Sequence, residues 1–237
     1  MKKVVIICML LMAAGFSLNA QTIVTSDTSV ERAIPKWRIA VQGGGAYRLG
    51  RVPSGIDSDM AAYIKKMKLG FNYGADITYF FTEGLGVGVT YSNSHFSNAA
   101  NITGTYSDGT TASGKMADII DISFIGPVLT YRGLNQTGRN AFLMSIGFGY
   151  LGYQDKATMI EDFTLKGWTL GRLISIGYDF GITDRLSFGP ELSLITGTLS
   201  KYTMTDELGR TETQNLDKDS YEGLSNVTLT VGLRYNL

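Results

Sequence analysis

The chain has 237 residues, with 21 basic and 21 acidic side chains, one histidine and one cysteine. A balanced charge without a basic stripe gives a nucleic-acid partner no electrostatic support, and the lone Cys8 excludes an internal disulfide. No stretch reaches the roughly 20 apolar residues that a spanning helix needs, so any crossing of a bilayer has to use strands closed into a barrel.

Residues 1–20 read as a cleaved export signal. Lys2 and Lys3 give a positive start, Val4 to Ala14 is a short apolar run that includes Cys8, and Ala20 offers a small residue before a cut. Residues 21–35 are polar and read as a loosely ordered periplasmic lead-in. Residues 36–237 then form one domain, long enough for a sizeable fold.

Within that domain the dominant signal is period two, the pattern of strands with one apolar and one polar face. Lys36 to Arg48 places Trp37, Ile39, Val41 and Tyr47 on one side, and Arg38, Ala40, Gln42 and Gly44 on the other. A long loop, residues 49–66, follows. Lys68 to Phe81 alternates Leu69, Phe71, Tyr73, Ile77 and Tyr79 against Gly70, Asn72, Gly74, Asp76 and Thr78. The tight turn Thr82-Glu83-Gly84 leads into a third strand from Leu85, and residues 97–115 read as a second long loop.

Asp118 to Arg132 is the fourth strand. Its apolar positions are even at first (Ile120, Ile122, Phe124) and odd later (Leu129, Tyr131). If the apolar positions all face outward, a bulge near Ile125-Gly126-Pro127 has to repair the parity, and Asp121 points inward. After a polar turn, Ala141 to Tyr153 is the fifth strand. Lys166 to Ile182 is the sixth, with Arg172 on its apolar side. Thr183-Asp184 turns into the seventh strand, Arg185 to Leu199. A long charged stretch, residues 200–222, precedes the closing strand, Val227 to Leu237, in which every odd residue but none of the even ones is a large apolar side chain.

The fold class that follows is all-β: an eight-stranded antiparallel up-and-down transmembrane β-barrel. Long gaps after strands one, three, five and seven alternate with short turns, as in membrane barrels with short periplasmic turns and long outer loops. Aromatic residues gather near the strand ends. Trp37, Tyr79, Phe142, Phe188 and Tyr235 mark one rim, and Tyr47, Tyr91, Tyr150 and Trp168 the other, as expected of interfacial girdles. A soluble lipocalin-like barrel would have to expose a face of mainly Gly, Ser and Thr to water, a poor soluble surface.

This pattern resembles the small eight-stranded outer-membrane barrels, the OmpA transmembrane-domain and OmpX-like group, over residues 36–237. The end Thr230-x-Gly232-x-x-Tyr235-x-Leu237 resembles the signal that the barrel-assembly machinery reads, with Leu237 where that group more often ends in Phe. The resemblance implies the cell outer membrane as location, outer-membrane lipids including lipopolysaccharide and the assembly machinery as partners, a monomer, and a non-enzymatic role in envelope integrity or surface interaction through the four outer loops.

Chemistry has few footholds. Arg38, Asp76, Asp121, Asp179, Glu191 and Arg234 carry inward parity and are expected to pair as a luminal charge network. An unpaired buried charge costs several kcal/mol, roughly. This plug would close a narrow pore, the competing transport reading. His95-Phe96-Ser97 resembles the His-x-Ser stretch of outer-membrane lipid A deacylases. That resemblance implies His95 as base, Ser97 as nucleophile and, here, Asp118 as orienting acid, although the family's glutamate has no match at its usual spacing. Gly84-x-Gly86-x-Gly88 opens no helix and is one face of a strand, so it is no nucleotide loop. No Cys/His cluster points to a metal, and no cofactor is expected.

Overall fold

A computed structural model describes residues 34–50, 55–56, 58–105, 111–158, 162–217 and 220–237. The export signal and residues 21–33 of the lead-in lie outside them. In chain order the elements are β1 (Trp37–Arg48), α1 (Ser58–Lys66), β2 (Leu69–Phe80), β3 (Leu85–Thr105), β4 (Thr111–Leu134), β5 (Ala141–Thr158), β6 (Asp162–Gly181), β7 (Leu186–Thr196), β8 (Thr198–Leu199), β9 (Lys201–Asp206), β10 (Thr211–Asn215), β11 (Glu222–Gly223) and β12 (Asn226–Asn236).

Eight of the strands close on themselves. β1 through β7 pair in sequence, all antiparallel, and β12 pairs with both β7 and β1. The closure is also sealed by reciprocal backbone bonds between Trp37 and Leu237, both 2.9 Å. One register path fixes the geometry. Arg38 pairs with Thr78, Thr78 with Gly88, Gly88 with Val128, Val128 with Gly147, Gly147 with Leu173, Leu173 with Ile195, Ile195 with Asn226, and Asn226 with Arg48. One circuit that starts at Arg38 therefore returns at Arg48, a stagger of ten residues. At the usual strand rise and spacing, such a stagger on eight strands gives a tilt of about 40° and a radius of about 8 Å. That bore is one that side chains fill.

The outward file of each strand is apolar. Ile39, Val41, Phe71, Ile77, Val87, Val89, Ile146, Phe148, Ile174, Leu192, Leu229, Val231 and Leu233 are all exposed. β4 corrects the expected parity. Its register with β3 runs unbroken from Leu85↔Tyr131 to Thr105↔Thr111, with Ile125, Gly126 and Pro127 each opposite one residue. There is no bulge. Ile120, Ile122 and Phe124 instead point into the lumen and are buried, while Ile125, Leu129 and Tyr131 point out. The change of apolar parity marks a change in what fills the barrel, from polar in the inner half to apolar in the outer half.

The short turns are fixed by side chains acting on the backbone, as expected of Thr and Asn. Thr82 Oγ1 accepts from Leu85 N (2.9 Å), Thr183 Oγ1 from Leu186 N (3.0 Å), and Asn135 Oδ1 from the amides of Arg139 and Asn140 (both 3.1 Å). The long gaps are more ordered than the loops expected from sequence. The β3–β4 and β5–β6 hairpins continue well past the aromatic rim. β9 and β10 form a hairpin whose β9 edge adds to the outer end of β6, Lys166↔Thr203 to Phe163↔Asp206. Gly209 turns that hairpin at φ 76°, where a side chain would be strained. The 49–66 gap contains α1, with Asp59 in its first turn and Lys65 and Lys66 in its last, complementing the helix dipole. The seventh strand ends at Thr196 rather than Leu199.

Candidate functional site

Buried side chains occupy the lumen at successive levels. At the short-turn end, Arg132 donates to the carbonyls of Pro35 (2.9 Å) and Glu83 (3.1 Å), and its guanidinium lies 3.7 Å above the Phe80 ring. Next comes the charge layer. Arg38 bonds Asp76 (2.7 Å) and Asp179 (2.9 Å), and Arg234 Nε sits 3.1 Å from Asp179 Oδ1. Arg38, Asp179 and Arg234 are buried. Arg234 Nε makes a charge contact there without hydrogen-bond alignment, and its Nη1 donates to the carbonyls of Gly189 and Gly232. One carboxylate, Asp179, thus serves two cations, which β1 and β12 bring together at the closure.

Glu191 stands apart from those ion pairs. It accepts from Gln42 Nε2 (3.1 Å) and Ser193 Oγ (3.0 Å). Above it, Asn72 donates to Ser92 (2.8 Å) and Ser94 (3.0 Å), and Ser94 donates to Asn226 (3.2 Å). The outer half is a hydrophobic core: Phe96, Ile120, Ile122, Phe124, Leu151, Leu173 and Ile195, topped by Leu199 and Leu224 and by Tyr63 and Met67 from the α1 region. α1 is pinned over the mouth, with Tyr63 OH donating to Asp118 Oδ2 (2.6 Å) and lying 3.1 Å from the Asn98 carbonyl.

Two carboxylates at this mouth, beyond the Tyr150 rim, are held above their ordinary range. Burial is the main cause at Asp118. At Asp155 burial, aided by the nearby Asp118 charge, pushes the carboxyl up to about 6. Among the described residues, Asp155 takes one bond, from Tyr153 OH (3.0 Å), and its buried Oδ1 has no hydrogen-bond partner. Arg48 pairs with Glu222, tying β11 to the barrel rim.

Two sequence assignments are corrected. Asp121 is not luminal: with no bulge in β4 it points outward, where its Oδ1 meets His95 Nδ1 at 2.9 Å. Asp118 has luminal parity and belongs to Tyr63, so it cannot orient His95. The acid beside His95 is Asp121, its cross-strand partner. Ser97, the next outward residue on β3, is exposed and lies opposite Ile119. Of the residues expected from sequence to form an assembly signal, Thr230 is buried on the luminal side, and Tyr235 and Leu237 are exposed on the outer wall. Gly232 sits where a Cβ would strike the backbone of Val41 and Gln42. Arg172 lies on the exposed outward file of β6, opposite Phe148, one row inside Tyr150 and Leu170. From that row its side chain can snorkel to the outer headgroups.

The outer wall holds one more ordered feature. A single cross-strand row runs Phe71, His95, Asp121, Gln154, Lys166, Thr203 over β2, β3, β4, β5, β6 and β9. The row beneath it runs Tyr73, Asn93, Ser123, Gly152, Trp168. Polar residues thus gather on one sector of a wall that is otherwise apolar. Period two could not reveal this, because the grouping arises only when five strands are laid side by side.

With closure, stagger and an apolar exterior established, the chain can be set beside known structures. It is similar to a major outer membrane protein from Thermus thermophilus (TM-score 0.51, 12% identity, 85% of this chain and 99% of that one). It is also similar to the outer membrane protein OprG from Pseudomonas aeruginosa (TM-score 0.50, 13% identity, 86% and 97%) and to the outer membrane protease OmpT from Escherichia coli (TM-score 0.50, 8% identity, 90% and 100%). The fold is that of the outer-membrane β-barrels. One of these three barrels is a protease by name and two are not, so the likeness conveys architecture and no activity. No family model and no curated protein matches the sequence.

Proposed function

We propose that this chain is an integral outer-membrane protein of a Gram-negative envelope, monomeric, with a non-enzymatic role in envelope integrity or surface interaction. The observation that carries the reading is the filled lumen beneath ordered outer elements. Arg132, the Arg38–Asp76–Asp179–Arg234 layer and the apolar core with α1 over it fill the bore at successive levels among the described residues, as in a rigid stake. What such a stake presents is its outside: the β3–β4, β5–β6 and β9–β10 hairpins and the charged residues that they carry. Rigid scaffolds with variable outer segments are where binding resides. Outer-membrane lipids, lipopolysaccharide among them, are the surrounding solvent, and the barrel-assembly machinery is the partner in insertion, addressed by Thr230, Gly232, Tyr235 and Leu237.

Planar-bilayer recording tests the reading. The inserted protein gives no steady conductance, and a large stable open level would replace this reading with a pore.

A second reading has one specific support. His95 and Asp121 are in contact on the lipid-facing wall, with Ser97 one outward position along β3. That is a base with its orienter in the logic of a hydrolase, and lipid A esters are the substrate within reach. Lipid A mass spectra from cells with and without the protein decide it: no change sinks the hydrolase, and an acyl chain lost only when His95 is intact establishes it.

A further inference from the structure

The outer wall carries a notch of about 410 Å³ between β4, β5, β6 and β9, bordered by Asp121, Ser123, Gln154, Lys166, Trp168 and Thr203. Gly152 and Gly167 also line it, and at Gly152, on the outward file, a side chain would crowd the Tyr150 ring. It sits where the polar row meets the aromatic rim. Trp168 is 67% exposed and stacks on Tyr150, ring centroids 5.8 Å apart, so one indole face is supported by the wall and the other is presented outward. Lys166 lies directly above on the same outward file and makes no ion pair among the described residues. Arg172 is below on that file. His95 Nδ1 and Asp121 Oδ1 are in hydrogen-bond contact at 2.9 Å, and Lys166 is the cation of the row that has no such partner among the described residues.

Resting on the reading of the chain as a membrane barrel, we propose that this notch binds the phosphorylated sugar headgroup of an outer-leaflet glycolipid. The phosphate meets Lys166, the ring lies against Trp168, and ring hydroxyls or amides meet Gln154, Ser123 and Thr203. An ammonium at headgroup height favours phosphate. A supported aromatic face beside side-chain amide and hydroxyl groups favours a sugar ring over a glycerol backbone. The β9–β10 hairpin contributes Thr203 by adding to β6, which gives that edge addition a purpose. The rest of the girdle, on β12 and β1, offers no such polar row.

The chain has two tryptophans, so Trp37→Phe leaves Trp168 as sole reporter. In phosphatidylcholine nanodiscs, rising mole fractions of diphosphoryl lipid A shift Trp168 emission to saturation. Lys166→Glu weakens the half-saturation point about tenfold or more, the loss expected for a charge-assisted bond, and dephosphorylated lipid A binds similarly weakly. If phosphatidylglycerol matches lipid A at equal mole fraction, the occupant is a glycerophospholipid and the sugar assignment falls. If Lys166→Glu and Gln154→Ala leave the titration unchanged while the barrel keeps its heat-modifiable migration, the site is wrong. A wild-type chain that fails to enter nanodiscs at all would refute the membrane reading, a failure distinguishable from that of the notch.

Discussion

Replacing Asp179 by Asn keeps shape and removes one charge from the centre of the luminal plug. Among the described residues, Asp179 is the only carboxylate in contact with both Arg38 (2.9 Å) and Arg234 (3.1 Å), and Asp76 contacts Arg38 (2.7 Å) but not Arg234. Asp179→Asn therefore leaves Arg234, 1% exposed, with backbone carbonyls as its remaining partners. Removing one member of a buried pair costs about 3–5 kcal/mol. With a urea dependence of about 2 kcal/mol per molar, the midpoint falls by roughly 1.5–2.5 M. The assay is urea unfolding of the refolded barrel in detergent micelles, followed by tryptophan emission and by heat-modifiable migration. Asp76→Asn costs less, because Arg38 keeps Asp179. Asp121→Asn, on the partly exposed outer wall, costs at most about 1 kcal/mol. Adding Arg234→Met to Asp179→Asn restores part of the loss, since the orphaned cation goes with it, and the two changes are non-additive. An Asp179→Asn midpoint no lower than that of Asp121→Asn would refute the plug.

Asp155→Asn tests the mouth. The folded carboxyl is raised to about 6 by burial, above its unfolded value of about 3.9. The protonated form is therefore favoured by folding, and stability falls as pH rises from about 4 through 6. The variant should match the parent at pH 4, exceed it at pH 8, and flatten the pH dependence of the urea midpoint between them. Tyr63→Phe removes the hydroxyl that holds α1 to Asp118 and Asn98. It should cost about 1 kcal/mol and raise amide exchange in α1 while leaving β1 and β12 protected. Gly232→Val forces a side chain into the backbone of β1 at the closure. It should lower the yield of folded barrel in refolding far more than Val231→Ala, which changes only the lipid face.

Strand number, pairing order and the lipid-facing files were legible because period two is local: each strand declares its faces alone, as β12 does from Val227 to Leu237. Two things were not local. The apolar positions Ile120, Ile122 and Phe124 look like a lipid face in isolation, and only the apolar core that they share with Leu151, Leu173, Ile195 and α1 explains why they turn inward. That misplaced parity also put Asp121 in the lumen and hid its contact with His95. The outer gap 97–115, rich in Gly, Ser, Thr and Asn, reads as a loop, yet β3 and β4 extend into it because they pair without a break from Leu85↔Tyr131 to Thr105↔Thr111. Arg38, Asp76, Asp179 and Arg234 could be grouped from sequence, since inward parity at the short-turn end leaves buried charges little but one another, whereas Glu191, expected in the same network, bonds Gln42 and Ser193 instead. Arg132 was passed over because its partners are the Phe80 ring and two turn carbonyls, which carry no sequence signature.

Spin-label accessibility along β12 tests the central claim most directly. Single cysteines placed in turn from Val227 to Leu233 in a Cys8→Ser background, labelled and reconstituted in bilayers, report collision with oxygen and with a water-soluble nickel complex. Oxygen accessibility is expected to be high at Val227, Leu229, Val231 and Leu233, and accessibility to both reagents low at Thr228, Thr230 and Gly232. An alternation of the opposite phase, or nickel access along the luminal file, would contradict it.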